Sequence, residues 1–164
     1  MSFTIRDATE ADRPTLTRFM AALQEVERAL HPSRRPGAAM AADHLDHLLG
    51  KVADHLGCCL IAEASGEEGG AAIAFLIGFV EEDEGHYLTV DYAAPAHISD
   101  LYVVVDWRGR GVAEAMMEAA EAHFRALGVR RMTISYVAGN EPAARAYEKR
   151  GFAPYLQTLV KPLS

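Results

Sequence analysis

Phe3, Thr4 and Ile5, with their aromatic and β-branched side chains, predict a short first strand over "FTIRD". Thr9 followed by Asp12 marks a helix start just before "RPTLTRFMAALQEVERAL". "PSRRPG", residues 32–37, breaks that helix. A second helix is expected over Ala38 to Leu56. Its apolar stripe is Leu45, Leu48, Leu49, Val52 and Leu56, at helical spacing. After Gly57, "CCLIAEA" and "AAIAFLIGFVEE" read as two strands joined by the turn "SGEEGG". Residues 82–96 are acidic and irregular, a loop or a second hairpin connection. "HISDLYVVV" is the next strand, followed by a helix from about Arg110 to Leu127 and a strand "RMTISYV". A helix "EPAARAYEKR", the stop Gly151 and a last strand near Tyr155 to Val160 complete the order.

Strands and helices in this order predict an α/β or α+β layer architecture: a mixed sheet with helices on its faces. No repeat or linker interrupts it, so residues 1–164 are expected to form one domain.

The turn "DWRGRGVA" raises the first question of chemistry. The chain leaves a β-branched strand, passes two glycines and two arginines, and enters a helix at once. A helix start presents unpaired N–H groups and the positive end of its dipole. Glycines let a ligand approach the main chain, and arginines add donors for phosphate oxygens. That combination suits a phosphate or pyrophosphate. It is not a Walker loop, which needs G-x-x-x-x-G-K-[ST]. A dinucleotide fingerprint fails at Glu114, where a third glycine belongs. Taken alone, the turn is equally a tight strand–helix connection with solvated arginines.

In "NEPAARAYEKRGF", Asn140 is a good N-cap and Pro142 sits in the first turn. Tyr147 lies two turns later on the same face. Alone, this reads as a capped helix with a packed tyrosine.

Together the two stretches resemble the GNAT superfamily of acetyl-CoA-dependent N-acetyltransferases. Its pyrophosphate loop, [QR]-x-x-G-x-[GA], is matched by Arg108, Gly111 and Ala113. Its second motif, N-x-x-A-x-x-x-Y-x-x-x-G-F, is matched by Asn140, Ala143, Tyr147, Gly151 and Phe152. The element order and the opening "FTIRDATEAD" agree with that fold. One departure is Val105, where many members carry proline.

The resemblance implies a mostly antiparallel sheet with a splayed central strand pair, opened between the strand ending at Val103 and "RMTISYV". The pantetheine arm of acetyl-CoA, the co-substrate, is expected along the backbone of Leu101, Tyr102 and Val103. Its pyrophosphate is expected on the amides of Gly109, Arg110, Gly111, Val112 and Ala113, beside Arg108. Asn140 is expected to touch the pantetheine or a water beside it.

Tyr147 matches the family's general acid in position, and a phenol suits proton donation to a thiolate. His97 is a candidate base, with Asp100 an alternative on the same strand and Glu81 or Glu82 a third. Regular alternation puts 97 and 100 on opposite faces, so only a bulge brings both to the site. Water acting on a partly deprotonated amine is a further route.

The acceptor amine is expected between "RALHPSRRPGAAM" and "EEDEGHYLTVDYAAP". Glu81, Glu82, Asp83, Glu84 and Asp91 suit a cationic amine such as a polyamine, an aminoglycoside or a lysine. Arg34 and Arg35 suit a carboxylate, as in an amino acid. Surface charge serving only solvation is the plain alternative. A small molecule and a peptide both stay open as acceptors. A non-catalytic acyl-CoA-binding or regulatory module on the same fold is the competing reading.

The remaining features narrow the setting. A net charge of −7 argues against nucleic acid as partner. No apolar run has the length of a membrane span, and the first residues do not resemble a signal peptide. Cys58 and Cys59 are adjacent and expected to be inert core thiols, in a cytoplasmic setting. His44 and His47 share a helix face with Lys51, Asp54 and His55, read as solvated, so no metal site is expected. Glu114, Glu118, Glu121 and Arg125 read as the wet side of their helix. A homodimer through the last strand, 155–160, is in keeping with the resemblance.

Overall fold

The computed structural model describes residues 2–66, 70–82, 85 and 87–163. The chain runs β1 (Phe3–Asp7), α1 (Arg13–Leu30), α2 (Ala41–Asp54), β2 (Cys58–Ala64), β3 (Ala72–Val80) and a short α3 (Val90–Ala93). It continues through β4 (Ala96–Val103), α4 (Val112–Ala126), β5 (Met132–Ile134) and α5 (Glu141–Lys149). The five strands stand in the order β1-β2-β3-β4-β5. All neighbours are antiparallel except β4 and β5, which are parallel. This is the open, mostly antiparallel sheet of the α/β (α+β) class that the sequence predicts.

The sheet is covered on both faces, which is why β2 and β3 read as nearly unbroken apolar runs. Ile61, Phe75, Ile77 and Phe79 face α1 and α2, against Leu16, Phe19, Leu45 and Leu48. Leu60, Leu76 and Ile98 face α4, against Met116, Met117 and Phe124. Each of these large side chains contributes roughly 1.5–3 kcal/mol by leaving water.

The start of α1 follows the predicted cap. The Thr9 N–H donates to Asp12 Oδ2 at 2.7 Å, and Arg6 grips Asp12 and Glu63 from β1. Arg6 holds the Asp12 carboxyl far below its ordinary range, chiefly by hydrogen bonding.

Three expectations are corrected. Leu56 is not on the buried stripe of α2. It lies past the helix end with φ 51° and is 61% exposed, because the chain must reverse there into β2. The strand "RMTISYV" is regular only over Met132–Ile134. The last strand does not form: residues 153–163 are irregular and exposed, with Leu156, Leu159 and Val160 open to solvent. Of the expected hairpin turn, residues 67–69 lie outside the described part, as do Asp83, Glu84 and His86 of the acidic segment.

Candidate functional site

The site forms where β4 and β5 part. They pair only at Ala96–Met132, His97–Thr133 and Ile98–Ile134. Leu101, Tyr102 and Val103 stay paired to Leu76, Phe75 and Ala74 of β3 on the other side. The edge of β4 that faced β5 therefore has no strand partner over 101–103 among the described residues, where the Val103 carbonyl meets only the Arg108 side chain. An unpaired edge beside a gap is a template for an extended ligand.

This edge leads directly into the turn. Val105–Trp107 form a 3₁₀ turn, and the buried Trp107 packs edge-on against Phe3 at 6.4 Å, fixing the turn to the core. Gly109 and Gly111 then take φ 69° and 79°, which other residues avoid. A Cβ on either would meet nothing within 4 Å, so the space before the turn is open. α4 begins at Val112, and the N–H groups of its first turn have no carbonyl within the helix to donate to. Arg108 folds back: its Nε donates to the Val103 carbonyl at 3.0 Å and its guanidinium lies 5.7 Å from the Tyr102 ring. Arg110 lies 5.6 Å from the Trp107 ring. Together these features fit acetyl-CoA: an edge for an extended arm, and a positive, open helix start for a pyrophosphate.

The bulge that would bring both candidate bases to one side is present. Asp100 pairs with Ile77 and Ile98 with Gly78, leaving Ser99 as an extra residue. His97 and Asp100 consequently both face α1 and α2. His97 Nδ1 lies 2.9 Å from Thr133 Oγ1 on β5. Thr133 Oγ1 also lies 3.5 Å from the Ala96 carbonyl, so Thr133 ties the His97 ring to the β4–β5 pairing, and the Nε2 side of the ring has no part in that contact. Burial lowers the pKa of His97, while Glu81, 4.0 Å away, and Asp100 oppose that shift. Burial raises the pKa of Asp100, against the hydrogen bond from Ser99 Oγ at 2.6 Å and the nearby charges of His44, His97 and Arg34.

Tyr147 comes to this cluster from α5. Burial pushes its phenol up to about 12, and the carboxylates of Glu27 and Asp100 act in the same direction. Tyr136 and Phe152 pack around it at 6.0 and 6.1 Å. α5 is held at both ends. Asn140 Oδ1 accepts from the Ala143 N–H at 3.3 Å, so its side chain is engaged in capping. Arg150 donates to Glu118 at 3.1 Å and to Glu121 at 2.6 Å on α4. Glu118 and Glu121 thus carry more than the solvated helix face expected of them.

Two residues enter that the sequence reading missed or set aside. Glu27 of α1 is half-buried, and Arg34 Nε reaches its Oε2 at 3.1 Å. Burial raises the Glu27 pKa; Arg34 opposes this, Asp100 adds to it, and His44 opposes it. Glu27 follows Leu16, Met20 and Gln24 at helical spacing on the buried face of α1. A carboxylate prolonging an apolar stripe was the signal available. His44 is half-buried, not on a fully solvated face, and favours the ionised forms of Glu27 and Asp100. Glu81 instead lies near Lys51, at 3.9 Å, and His97; Asp91 lies 3.9 Å from Arg130. Cys58 and Cys59 are buried thiols pushed up to about 12 by desolvation, as expected of inert core residues.

The profile of the acetyltransferase (GNAT) family matches residues 20–152, from α1 through Phe152.

The chain belongs to the acetyltransferase (GNAT) family.

Mycothiol acetyltransferase of Corynebacterium glutamicum is 40% identical over 58 residues, which are 34% of this chain and 20% of that protein. The chain thus spans about a fifth of the length of the curated relatives it matches. A GCN5-related N-acetyltransferase from Ralstonia eutropha superposes with a TM-score of 0.76 at 25% identity, covering 99% of both chains. The aminoglycoside N-acetyltransferase AAC(6′)-Iy, solved in complex with CoA, superposes with a TM-score of 0.70. It is 18% identical over 99% of this chain and 95% of its own, a likeness of fold alone. Among the described residues of this GNAT chain, no helix is long and apolar enough to cross a membrane.

Proposed function

We propose that the protein transfers the acetyl group of acetyl-CoA to a primary amine. The observation that carries this reading is the unpaired edge of β4 over 101–103. It runs into the glycine-lined start of α4, and Asp100 on the same strand lies within electrostatic reach of Tyr147. Residues 1–164 act as one domain in this reading, and the two free cysteines suit a cytoplasmic setting.

Acetyl-CoA supplies the acetyl group as a thioester. The backbone of Leu101, Tyr102 and Val103 would hold its arm. The N–H groups of Gly109, Arg110, Gly111, Val112 and Ala113 would hold its pyrophosphate, with Arg108 and Arg110 adding positive charge. Asn140, while capping α5, would touch the arm or a water beside it.

Transfer forms a carbon–nitrogen bond and breaks a carbon–sulfur bond. His97 Nε2 would take the proton that the amine loses, with Asp100 the alternative acceptor on the same side of β4. Tyr147 would give its proton to the departing sulfur. With its phenol pushed up to about 12 by burial, Tyr147 stays protonated at any working pH and so keeps a proton to give.

An enzyme is favoured over a binding module because a mere binder has no need of a buried phenol beside two carboxylates. The acceptor is a small molecule or a peptide amine. Self-association through the exposed tail residues Leu156, Leu159 and Val160 belongs to the same reading, with sedimentation as its measure. Acetyl-CoA titration followed by thiol release in the presence of amines tests the function. Binding with turnover is expected. Failure to bind acetyl-CoA would overturn the cofactor site, and binding without turnover on any amine would favour the module.

A further inference from the structure

A groove of about 410 Å³ lies between the end of α1, the connection 31–40 and α2. Gln24, Ser33, Arg34, Arg35, His44 and His47 line it, with Asp43 the one carboxylate on its wall. The groove is built rather than incidental. Buried Gln24 donates to the Arg35 carbonyl at 2.9 Å, and the Gly37 N–H donates to Glu25 at 2.6 Å. Arg35 reaches the Ala39 carbonyl at 3.0 Å. These bonds fix the connection and so fix where both arginines stand.

Two residues of the groove wall also belong to the cluster under Tyr147. Arg34 pairs with Glu27, and Arg34 and His44 both lie close enough to Asp100 to favour its ionised form. One end of the groove is therefore cationic, and its Arg34 is paired with the half-buried carboxylate of Glu27. The acidic segment beyond β3 has a different character. Its Glu81 and Asp91 lie beside cations of the chain itself, Lys51 and Arg130. A polycation would have to displace these, whereas Arg34 meets Glu27 through Nε, at 3.1 Å, and a guanidinium has five N–H donors in all.

We infer that the acceptor is an amine that also carries an anionic group, a carboxylate or a phosphate. The anion would sit against Arg34 and Arg35 in this groove, and the amine against Glu27 and Asp100. This rests on the reading of the site as an acetyl-CoA-dependent N-acetyltransferase, and it assigns the substrate class. Arg34 bridges the two ends: it holds Glu27 through Nε while its terminal nitrogens meet the anion. Bidentate recognition of this kind is what a guanidinium provides and an ammonium does not.

The test compares matched amines on the wild-type chain. Amino acids are set against their amides, and phosphoethanolamine against ethanolamine, with spermidine and kanamycin as purely cationic acceptors. Rates are referred to the unprotonated amine. The anion-bearing member of a pair should be favoured about tenfold or more in kcat/KM, the size of one charge-assisted hydrogen bond. Arg34→Gln and Arg35→Gln should collapse that preference, and Arg34→Lys should restore part of it. All three variants should keep the wild-type acetyl-CoA affinity. Preference for amino acids would name the carboxylate, and preference for phosphoethanolamine the phosphate. Turnover of spermidine or kanamycin above the anionic amines would overturn the inference while the enzyme reading stands. So would a preference unchanged in Arg34→Gln, or acetyl-CoA binding with no anionic amine turned over. Loss of acetyl-CoA binding in the wild type would instead strike the reading on which the inference rests.

Discussion

His97 and Asp100 stand three residues apart on β4 and face the same side of the sheet, because Ser99 is an extra residue opposite the step from Ile77 to Gly78. A regular strand would separate them. The bulge instead gives one site two titratable groups whose shifts have opposite signs relative to their ordinary values. Burial makes His97 harder and Asp100 easier to protonate.

If His97 takes the amine proton, kcat/KM should fall on the acid side with a midpoint below the ordinary histidine value of about 6.5. Adding a proton to His97 removes the Nε2 lone pair, so activity is full above that midpoint and lost below it. His97→Gln should flatten this limb and lower the plateau on the order of 100-fold. The same lowered pKa affects folding. The unfolded chain takes up the proton at higher pH than the folded one, so the stability from neutral His97 is full above about 6.5 and declines as pH falls. A rate profile of H97Q with its acid limb in place would transfer the role to Asp100, for which Asp100→Asn is the check.

Tyr147→Phe should reduce kcat on the order of 100-fold with acetyl-CoA affinity unchanged. The phenol is pushed up to about 12, so Tyr147 itself should cause no loss of rate up to pH 10. Stopped-flow thiol release across pH reads both. A wild-type rate in Y147F would leave Tyr147 a packing residue between Tyr136 and Phe152.

The φ of 79° at Gly111 costs an ordinary side chain about 1 kcal/mol. Gly111→Ala should lower the melting temperature accordingly and weaken acetyl-CoA. Arg108→Ala should weaken acetyl-CoA about tenfold by removing a charged donor. Arg108→Lys should recover only part of this, since it keeps the charge and loses the Nε bond to Val103. Calorimetric titration decides; full affinity in R108A would remove the phosphate role.

Gly37 packs so closely on α1 that a Cβ there would lie 2.3 Å from the Ala21 carbonyl oxygen. Gly37→Ala should displace the connection carrying Arg34 and Arg35, destabilising the fold by about 2 kcal/mol. Acceptor kcat/KM should fall and acetyl-CoA affinity should hold. Parallel losses of both would mean that the connection also supports the cofactor site.

Much of the frame was legible along the chain. The apolar stripe of α2, the strands β2 and β3, the glycine pair before α4 and the Asn140 cap all express local geometry, which spacing records directly. The failures have local causes too. Residues 155–160 carry strand-like side chains, but a strand exists only where a neighbour accepts its hydrogen bonds, and composition cannot supply one. Leu56 fits the helical period of α2, yet the chain turns there.

The sequence by itself determined the two family motifs, the strand–turn–helix that follows β4 and the place of Tyr147 along α5, because each is set by residues within one or two turns of one another. Only the tertiary structure decided that His97 and Asp100 share a side, since the bulge is defined against β3. Only it brought Glu27, Arg34 and His44 to them. Those three come from α1, the connection after it and α2, and their charges meet Asp100 only once the helices have packed on the sheet.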